Sequence, residues 1–339
     1  MKVAVVGCGN ISRNHFSALN DIEDVQIVAA VDIKPERADM KAEQYGARAY
    51  YDLDEMLIKE HPDCVHIATP HYLHTPMAIK VMESGADVFL EKPCSVSISE
   101  ARALADAQKR TGRQLGVCFQ NRYNDSTAAA KEIVDGGTLG KLLGVRAFVT
   151  WSREADYYSD DWHGKADKEC GGVLINQAIH TIDLMQYLAG GCKALTAHVS
   201  NDHLKGIIEV EDNASVIMEL SGGVKGILYA TTAYAVNSDV MIELTLEKGN
   251  LRIEGESLYQ LNEDGAYEYI CGNSEEDFVG KNYWGHGHKA IIRDFYDCIK
   301  TGRKFEIDAL EGGKAARIVA SCYESSAKNE RIEVTEYDS

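Results

Sequence analysis

The chain opens with a strand, a glycine-rich turn and a helix, and this order constrains its fold more than any other feature. The apolar run Val3–Val6 is followed at once by Gly7-Cys8-Gly9-Asn10-Ile11-Ser12, and a second apolar run, Val25–Val31, ends at Asp32. The first glycine allows a tight turn, and the second lets the backbone approach a ligand closely. Free N–H groups at the start of the next helix favour an anion. The pattern predicts a phosphate-binding edge on a parallel sheet.

Asp32 adds the feature that points to a dinucleotide. It lies where a carboxylate accepts hydrogen bonds from both ribose hydroxyls and repels a 2′-phosphate, so we expect NAD rather than NADP. Lys34 and Arg37 lie close enough to Asp32 in the sequence to weaken the preference for NAD over NADP. The alternative interpretation is a glycine-rich turn with no ligand. The candidate cofactor-binding residues of this segment are Gly7, Gly9, Asn10, Ile11 and Asp32.

Composition excludes several other classes of function. The chain has 339 residues and a formal net charge of −18, which argues against binding to nucleic acid or to an anionic membrane surface. No signal peptide or membrane span is predicted. The nine cysteines show no Cys-x-x-Cys pair and no Cys/His cluster at zinc spacing. We therefore predict a cytoplasmic protein with reduced thiols and no metal site.

The first third of the chain alternates short apolar runs with helical patterns. This alternation predicts a doubly wound parallel sheet over residues 1–121, whose ligands bind at the carboxyl ends of the strands. The predicted strands are Val3–Val6, Val25–Val31, Cys64–Ala68, Asp87–Leu90 and Gln114–Cys118. The candidate ligand-binding residues are therefore those that directly follow a strand, here called strand exits: Asp32, Thr69–His74, Glu91–Cys94 and Phe119–Tyr123.

Residues 122–339 predict a second, α+β domain with a large, mostly antiparallel and meander-like open sheet. Its strands carry the alternation of a half-buried sheet. Helices are expected near Ser126–Asp135, Val173–Leu188, His286–Thr301 and Ala309–Ala327. The predicted strands are Leu142–Trp151, Leu195–Asn201, Ala214–Leu220, Lys225–Tyr234, Met241–Glu247 and Asn250–Glu254.

Two segments carry candidate catalytic groups. Lys92 follows a strand directly, in Glu91-Lys92-Pro93, and a lysine at this edge can polarise a substrate oxygen; most lysines, however, are simply solvated. Behind Gly171-Gly172, helical spacing places Asn176, His180 and Asp183 on one face. His180 is the natural proton carrier of this group, or else a buried histidine that Asp183 satisfies. A metal held by His180 and Asp183 lacks a third ligand.

A third segment, Trp151–Lys168, is dense in aromatic and polar residues. Such a loop suits carbohydrate binding, and it equally suits a surface loop packed by its own aromatic rings. Tyr158 and Trp162 are its candidate substrate-binding residues, together with Arg122 at the last strand exit.

Together these residues resemble the glucose–fructose oxidoreductase and inositol dehydrogenase (Gfo/Idh/MocA) family over essentially the whole chain. The resemblance rests on the opening glycine turn, Thr69-Pro70 with His74, Glu91-Lys92-Pro93, the Gly-Gly…His180-x-x-Asp183 block, Asp294-Phe…Gly302 and Glu311-Gly312. It implies that the first domain is a Rossmann domain in which Thr69, Pro70, His74, Glu91 and Lys92 also serve the cofactor. Many members carry aspartate where this chain has Asn176, and arginine where it has His163.

The resemblance further implies an NAD-dependent oxidoreductase that acts on a sugar, a polyol or a derivative such as a nucleotide-linked amino sugar. It implies that Lys92 and His180 flank the nicotinamide, with Asn176 as a third catalytic residue, and that Asn176 and His180 also contact substrate. Two alternatives stay open: glycoside cleavage through transient oxidation by NAD, and a non-catalytic sugar or redox sensor. The expected partners are a small carbohydrate and a second copy of the chain, as a homodimer or homotetramer through the C-terminal sheet.

Overall fold

The computed structural model describes residues 1–262, 264–272 and 287–334. Two compact units are present: the first comprises Met1–Gln120 with Gly287–Gly313, and the second comprises Asn121–His286 with Lys314–Ser339. None of the described helices is both long and apolar enough to cross a membrane.

The first unit is built on a six-stranded parallel sheet, as the alternation predicts. Its strand order is β3-β2-β1-β4-β5-β6. Two elements were not predicted from the sequence, the short strand β3 and the helix α3. The elements are β1 (Lys2–Val6), α1 (Ser12–Asn20), β2 (Gln26–Val31), α2 (Pro35–Tyr45), β3 (Arg48–Tyr50), α3 (Leu53–Glu60), β4 (Cys64–Ile67), α4 (His74–Glu83), β5 (Asp87–Leu90), α5 (Ile98–Thr111) and β6 (Leu115–Val117).

The second unit contains a nine-stranded sheet in the order β14-β13-β12-β11-β7-β10-β9-β8-β15. All six predicted strands are present, and β13, β14 and β15 are additional. The elements that follow β6 are α6 (Asp125–Gly136), β7 (Leu142–Thr150), α7 (Ile179–Ala189), β8 (Cys192–Ser200), β9 (Asn213–Leu220), β10 (Lys225–Thr231), β11 (Met241–Leu246), β12 (Gly249–Glu254), β13 (Ser257–Leu261), β14 (Tyr267–Gly272), α8 (His288–Thr301), α9 (Ala309–Lys328) and β15 (Ile332–Glu333).

The expected meander is wrong in one respect. Strand β7 lies between β10 and β11, and its pairing with β10 is parallel, whereas the other neighbouring pairs are antiparallel. A parallel pair needs a crossover connection, and the segment between β7 and β10, which includes α7, supplies it. The buried face of β7 presents Val145, Ala147 and Val149, and α7 packs against this strand.

Helix α8 packs within the first unit although it follows the second sheet in the chain. The hydroxyl of Tyr296 lies 2.9 Å from Nε2 of His66 on β4, and a Cβ added to Gly116 would lie 2.7 Å from the ring of Phe295. The boundary predicted at residue 121 counts this segment with the second domain; its contacts place it with the first. The predicted helix start at His286 lies outside the described residues.

Candidate active site

The glycine turn has the geometry that its sequence predicts. Gly7 has φ +89°, and a Cβ at this position would lie 2.3 Å from the carbonyl oxygen of Ala68, so no other residue fits without a backbone shift. A Cβ on Gly9 would meet nothing within 4 Å. Ser12 is fully buried, and its hydroxyl donates to the carbonyl of Gly9 at 2.7 Å. The turn is therefore rigid where it faces the sheet and open where a pyrophosphate would approach.

Asp32 is held in place by two backbone donors. Its Oδ2 accepts from the N–H of Cys8 at 2.8 Å, and its Oδ1 accepts from the N–H of Lys34 at 2.9 Å. A carboxylate oxygen has a second lone pair, so both can also accept from a ribose diol. Burial, with the nearby Asp32 charge, raises the pKa of Cys8 to about 12, so its thiol is unreactive. These residues fit NAD.

Replacing Asp32 with alanine should weaken NAD binding by about tenfold or more, because hydrogen bonds to a charged group are lost. It should also bring the dissociation constants of NAD and NADP closer together, since the repulsion of a 2′-phosphate disappears. Isothermal titration with both cofactors measures this. Asp106→Ala, which removes an exposed carboxylate from α5, is the matched control. Tighter binding of NADP than NAD by the unaltered protein would contradict the role of Asp32.

His74 joins two strand exits. Its Nδ1 lies 2.7 Å from the carbonyl oxygen of Pro93, and its Nε2 lies 2.7 Å from that of Thr69. The ring is buried, and burial lowers its pKa against the opposing effect of these carbonyls. Thr69 and Pro70 are therefore tied to the Lys92–Pro93 segment, whose peptide bond is cis. The described contacts of His74 are those of a residue that shapes the cofactor edge.

Glu91 anchors the segment that carries Lys92. Its Oε1 lies 3.0 Å from Nε2 of His15, whose Nδ1 lies 2.8 Å from Nδ1 of His66. Burial disfavours the Glu91 carboxylate, but the hydrogen bond and charge of His15 and the charges of His288 and Lys92 outweigh it and lower its pKa. Burial also holds the pKa of His66 well below its usual range, helped by His15. Glu91 is thus a buried anion at the end of β5, and half-buried Lys92 follows it.

One group of described residues has the spacing of a metal site. The ligand atoms of Glu91, Cys118 and His288 lie within 4.8 Å of one another. Burial and the Glu91 charge raise the pKa of the Cys118 thiol well above its usual range. Glu91 is also already engaged by His15. We assign no metal to this group, and the absence of a metal stays a prediction.

In the second unit, the predicted helix Val173–Leu188 is wrong in its first third. Helix α7 begins only at Ile179, and residues 173–177 form turns. These turns start against Glu211, whose carboxylate accepts from the N–H groups of Gly172 and Leu174 at 2.8 and 3.0 Å. A Cβ on Gly172 would lie 1.9 Å from the carbonyl oxygen of Glu211. The glycine therefore permits the close approach of another backbone.

Asn176 lies in these turns, and His180 lies in the first turn of α7; both are half-buried. The Nδ2 of Asn176 donates to the carboxylate of Glu169 and lies 3.4 Å from the hydroxyl of Tyr157. The spacing predicts that Asn176 and His180 lie on one continuous helix. This prediction is wrong, because Asn176 precedes the first residue of α7. Their roles in catalysis stay predictions.

Asp183 is bound by Arg122. Arg122 donates from Nε and Nη2 to the two carboxylate oxygens at 2.7 and 2.6 Å, and both side chains are at least 97% buried. The guanidinium also lies 4.3 Å from the ring centroid of Tyr187. The contact gives Arg122 a structural role, fixing α7 to the segment before α6, and its predicted contact with substrate stays a prediction.

Replacing Arg122 with alanine should destabilise the protein by about 3–5 kcal/mol, because the buried Asp183 carboxylate would lose its counterion. The free energy of unfolding in urea measures this. Lys328→Ala removes an exposed ion pair with Glu324 and should leave the free energy of unfolding almost unchanged. Equal stabilities of the two variants would show that the Arg122 pair does not hold the unit together.

The loop Trp151–Lys168 forms an aromatic cluster. The ring centroids of Trp162 and His163 are 3.7 Å apart, and those of Tyr157 and His163 are 4.7 Å apart. Burial raises the pKa of Tyr158 to about 12, so its phenol stays protonated. Packing within the loop thus accounts for part of its aromatic content, and Tyr158 and Trp162 remain half-buried candidates for substrate contact.

The structure brings together the predicted cofactor residues at the carboxyl edge of the first sheet. In the second unit it groups Asn176 with a carboxylate that sequence reasoning missed. Glu169 gives no local signal, since it lies in a charged loop beside Lys168 and next to Cys170. The buried network around His15 and His66 was also missed, because these residues occur on a helix and a strand with no shared motif.

Two family profiles match the chain. Residues 1–119 match one described as "Oxidoreductase family, NAD-binding Rossmann fold", and residues 127–252 match the "GFO/IDH/MocA C-terminal domain". A D-glucoside 3-dehydrogenase of Escherichia coli is 26% identical over 98% of this chain and 97% of its own length. A scyllo-inositol 2-dehydrogenase (NAD(+)) of Bacillus subtilis is 28% identical over 93% of each.

A solved structure of a dehydrogenase has the same fold over the whole chain. The WlbA dehydrogenase from Bordetella pertussis, in complex with NADH and UDP-GlcNAcA, superposes with a TM-score of 0.87 at 26% identity, covering 100% of this chain and 99% of that one. The fold, the glycine turn, Asp32 and the two profile matches lead to one conclusion: the chain is an NAD-binding oxidoreductase of the Gfo/Idh/MocA family.

Proposed function

We propose that the protein is an NAD-dependent dehydrogenase acting on a secondary alcohol of a sugar, a polyol or a nucleotide-linked sugar. The observation that carries the proposal is Lys92, which follows β5 at the sheet edge where Gly9 and Asp32 stand. A cation fixed beside the nicotinamide end of such a site favours chemistry at a substrate oxygen. The relatives named above, dehydrogenases of a glucoside and of an inositol, support the substrate class.

Each side chain has a distinct part in this proposal. NAD, when bound, accepts the hydride from the substrate carbon. Lys92 stabilises the negative charge that grows on the hydroxyl oxygen, and His180 takes the hydroxyl proton as general base. Asn176 hydrogen-bonds the substrate. The roles of His180 and Asn176 are supported by the family resemblance and by their half-buried positions.

The function is tested by incubating the protein and NAD with a panel of UDP-N-acetylamino sugars, their uronic acids, glucosides and inositols. We expect one ketone and one NADH for each substrate molecule oxidised. Cleavage of a glycoside with no net NADH would instead favour transient oxidation. Tight binding of NAD without turnover on any panel member would favour a sensor.

We further propose a cytoplasmic homodimer or homotetramer formed through the exposed face of the second sheet. The nine cysteines are in the reduced form, which suits a reducing compartment. Ile217 and Ile227 lie directly opposite each other on β9 and β10 and are 60% and 55% exposed, and Phe148 on the next strand is 37% exposed. Sedimentation should give a dimer or tetramer for the unaltered protein and a monomer for Ile217→Lys. A monomeric unaltered protein would contradict the proposal.

A further inference from the structure

Glu169 is a buried carboxylate that the proposed mechanism does not yet use. It is 1% exposed, and its two oxygens serve different donors. Oε2 accepts from the backbone N–H of Gly164, and Oε1 accepts from Nδ2 of Asn176. Burial, with the Glu169 carboxylate among the further causes, raises the pKa of the nearby Tyr158 and Tyr323 phenols.

The contact shows which end of the Asn176 amide faces Glu169. An amide has one donating and one accepting end. The Nδ2 of Asn176 donates to Oε1 of Glu169, so its Oδ1 is turned to the opposite side. The Gly164 N–H in turn holds the other carboxylate oxygen, so Glu169 itself cannot rotate without losing a buried hydrogen bond.

We propose that Glu169 is a positioning residue for substrate recognition, which orients the Asn176 amide so that an acceptor, Oδ1, faces the substrate. This inference rests on the proposed function, in which Asn176 contacts the substrate. An acceptor at this point selects a hydroxyl or an amide N–H on the substrate and disfavours a methyl ether there. Glu169 and Asn176 together therefore determine that the protein accepts, rather than donates, the hydrogen bond at this point of the substrate.

Glu169→Gln is the first test. The introduced amide keeps its oxygen on the Gly164 N–H, so its NH₂ faces Asn176 and forces the Asn176 amide to turn over. A donor then replaces the acceptor on the substrate side. We expect kcat/KM to fall by about 100-fold, as for a misplaced contact group, with KM rising and the NAD dissociation constant unchanged. Asp239→Asn, which removes an exposed charge elsewhere in the same unit, should leave kcat/KM unchanged.

The E169Q/N176D double variant supplies the rescue. The introduced amide donates to one oxygen of the introduced carboxylate, and the other oxygen restores an acceptor toward the substrate. We expect the double variant to recover at least tenfold in kcat/KM over Glu169→Gln. A merely structural role of Glu169 predicts no recovery, since a second substitution beside it can only add to the disturbance.

The contact between Glu169 and Asn176 can also be tested by a measurement that does not depend on turnover. In Asn176→Asp, two carboxylates at hydrogen-bond distance share a proton, so NMR of carboxyl-labelled aspartate should show a raised pKa at position 176. The same carboxyl in E169Q/N176D should titrate without that rise. Equal titration in the two variants would overturn the contact, and an unchanged kcat/KM in Glu169→Gln would overturn the positioning role. Failure of the proposed function is seen separately, as absence of NADH formation by the unaltered protein.

Discussion

Replacing Lys92 with alanine should lower kcat by about 10²–10⁴-fold and leave the dissociation constant of NAD nearly unchanged. The size of the effect is that of losing a general acid/base or an oxyanion partner. The rate and the dissociation constant should respond differently because, in the proposed site, Asp32 and the glycine turn bind the other end of the cofactor, whereas Lys92 follows β5 and Glu91. Steady-state kinetics and cofactor titration on the same preparation measure both values.

Lys80→Ala is the matched control for Lys92. Lys80 is an exposed lysine of the same unit, and its pair with Asp54 is also exposed. We expect its turnover to equal that of the unaltered protein, because exposed pairs contribute little. If Lys92→Ala kept full turnover on the true substrate, Lys92 would be an ordinary surface residue and the proposed polarising role would be wrong.

Replacing His180 with alanine should reduce oxidation of the substrate by a similar factor, about 10²–10⁴-fold. A general base must be neutral, so kcat/KM of the unaltered protein should fall as the pH is lowered and the imidazole becomes protonated. The variant should lack this acidic limb, since no histidine remains to be protonated in that role. The pH dependence of kcat/KM for both proteins measures the effect.

His203→Ala is the control for the second unit, because His203 is exposed. It should keep both the rate and the acidic limb. A limb that survives in His180→Ala would show that another group is the base. In that case the family resemblance would not extend to the role of His180.

The sequence predicts the first unit well because its signals are local. Each buried parallel strand is a short apolar run, and Gly7 and Asp32 stand at the strand exits that the pattern indicates. Strand β3 escapes prediction because it has three residues at the edge of the sheet, of which only Tyr50 is buried. A segment this short and exposed carries too little apolar periodicity to be recognised.

The start of α7 shows where local reasoning fails. The apolar residues Val173–Ile175 continue the helical pattern, yet they form turns that begin against Glu211, whose carboxylate accepts from the N–H groups of Gly172 and Leu174. Glu211 reaches this segment through tertiary structure, so no spacing near residue 173 reveals the contact. The placement of Asn176 beside Glu169 follows from the same turns, and it was beyond prediction for the same reason.

The partner of Asp183 is a second example. Its spacing from His180 predicts a contact on one helix face, whereas the structure pairs it with Arg122, which donates to both carboxylate oxygens from 61 residues away. A bidentate guanidinium binds a buried carboxylate strongly because it makes two charge-assisted hydrogen bonds. The sequence indicates that these residues matter, and the fold determines which of them pair.

Hydride transfer from the substrate carbon is the most direct test of the central claim. The panel member that the protein oxidises is prepared with deuterium on the carbon bearing the reacting hydroxyl, and the reduced cofactor is analysed by mass spectrometry. We expect one deuterium in each NADH and one ketone for each NADH. Unlabelled NADH, or no reduced cofactor from any panel member, would contradict an NAD-dependent dehydrogenase of secondary alcohols.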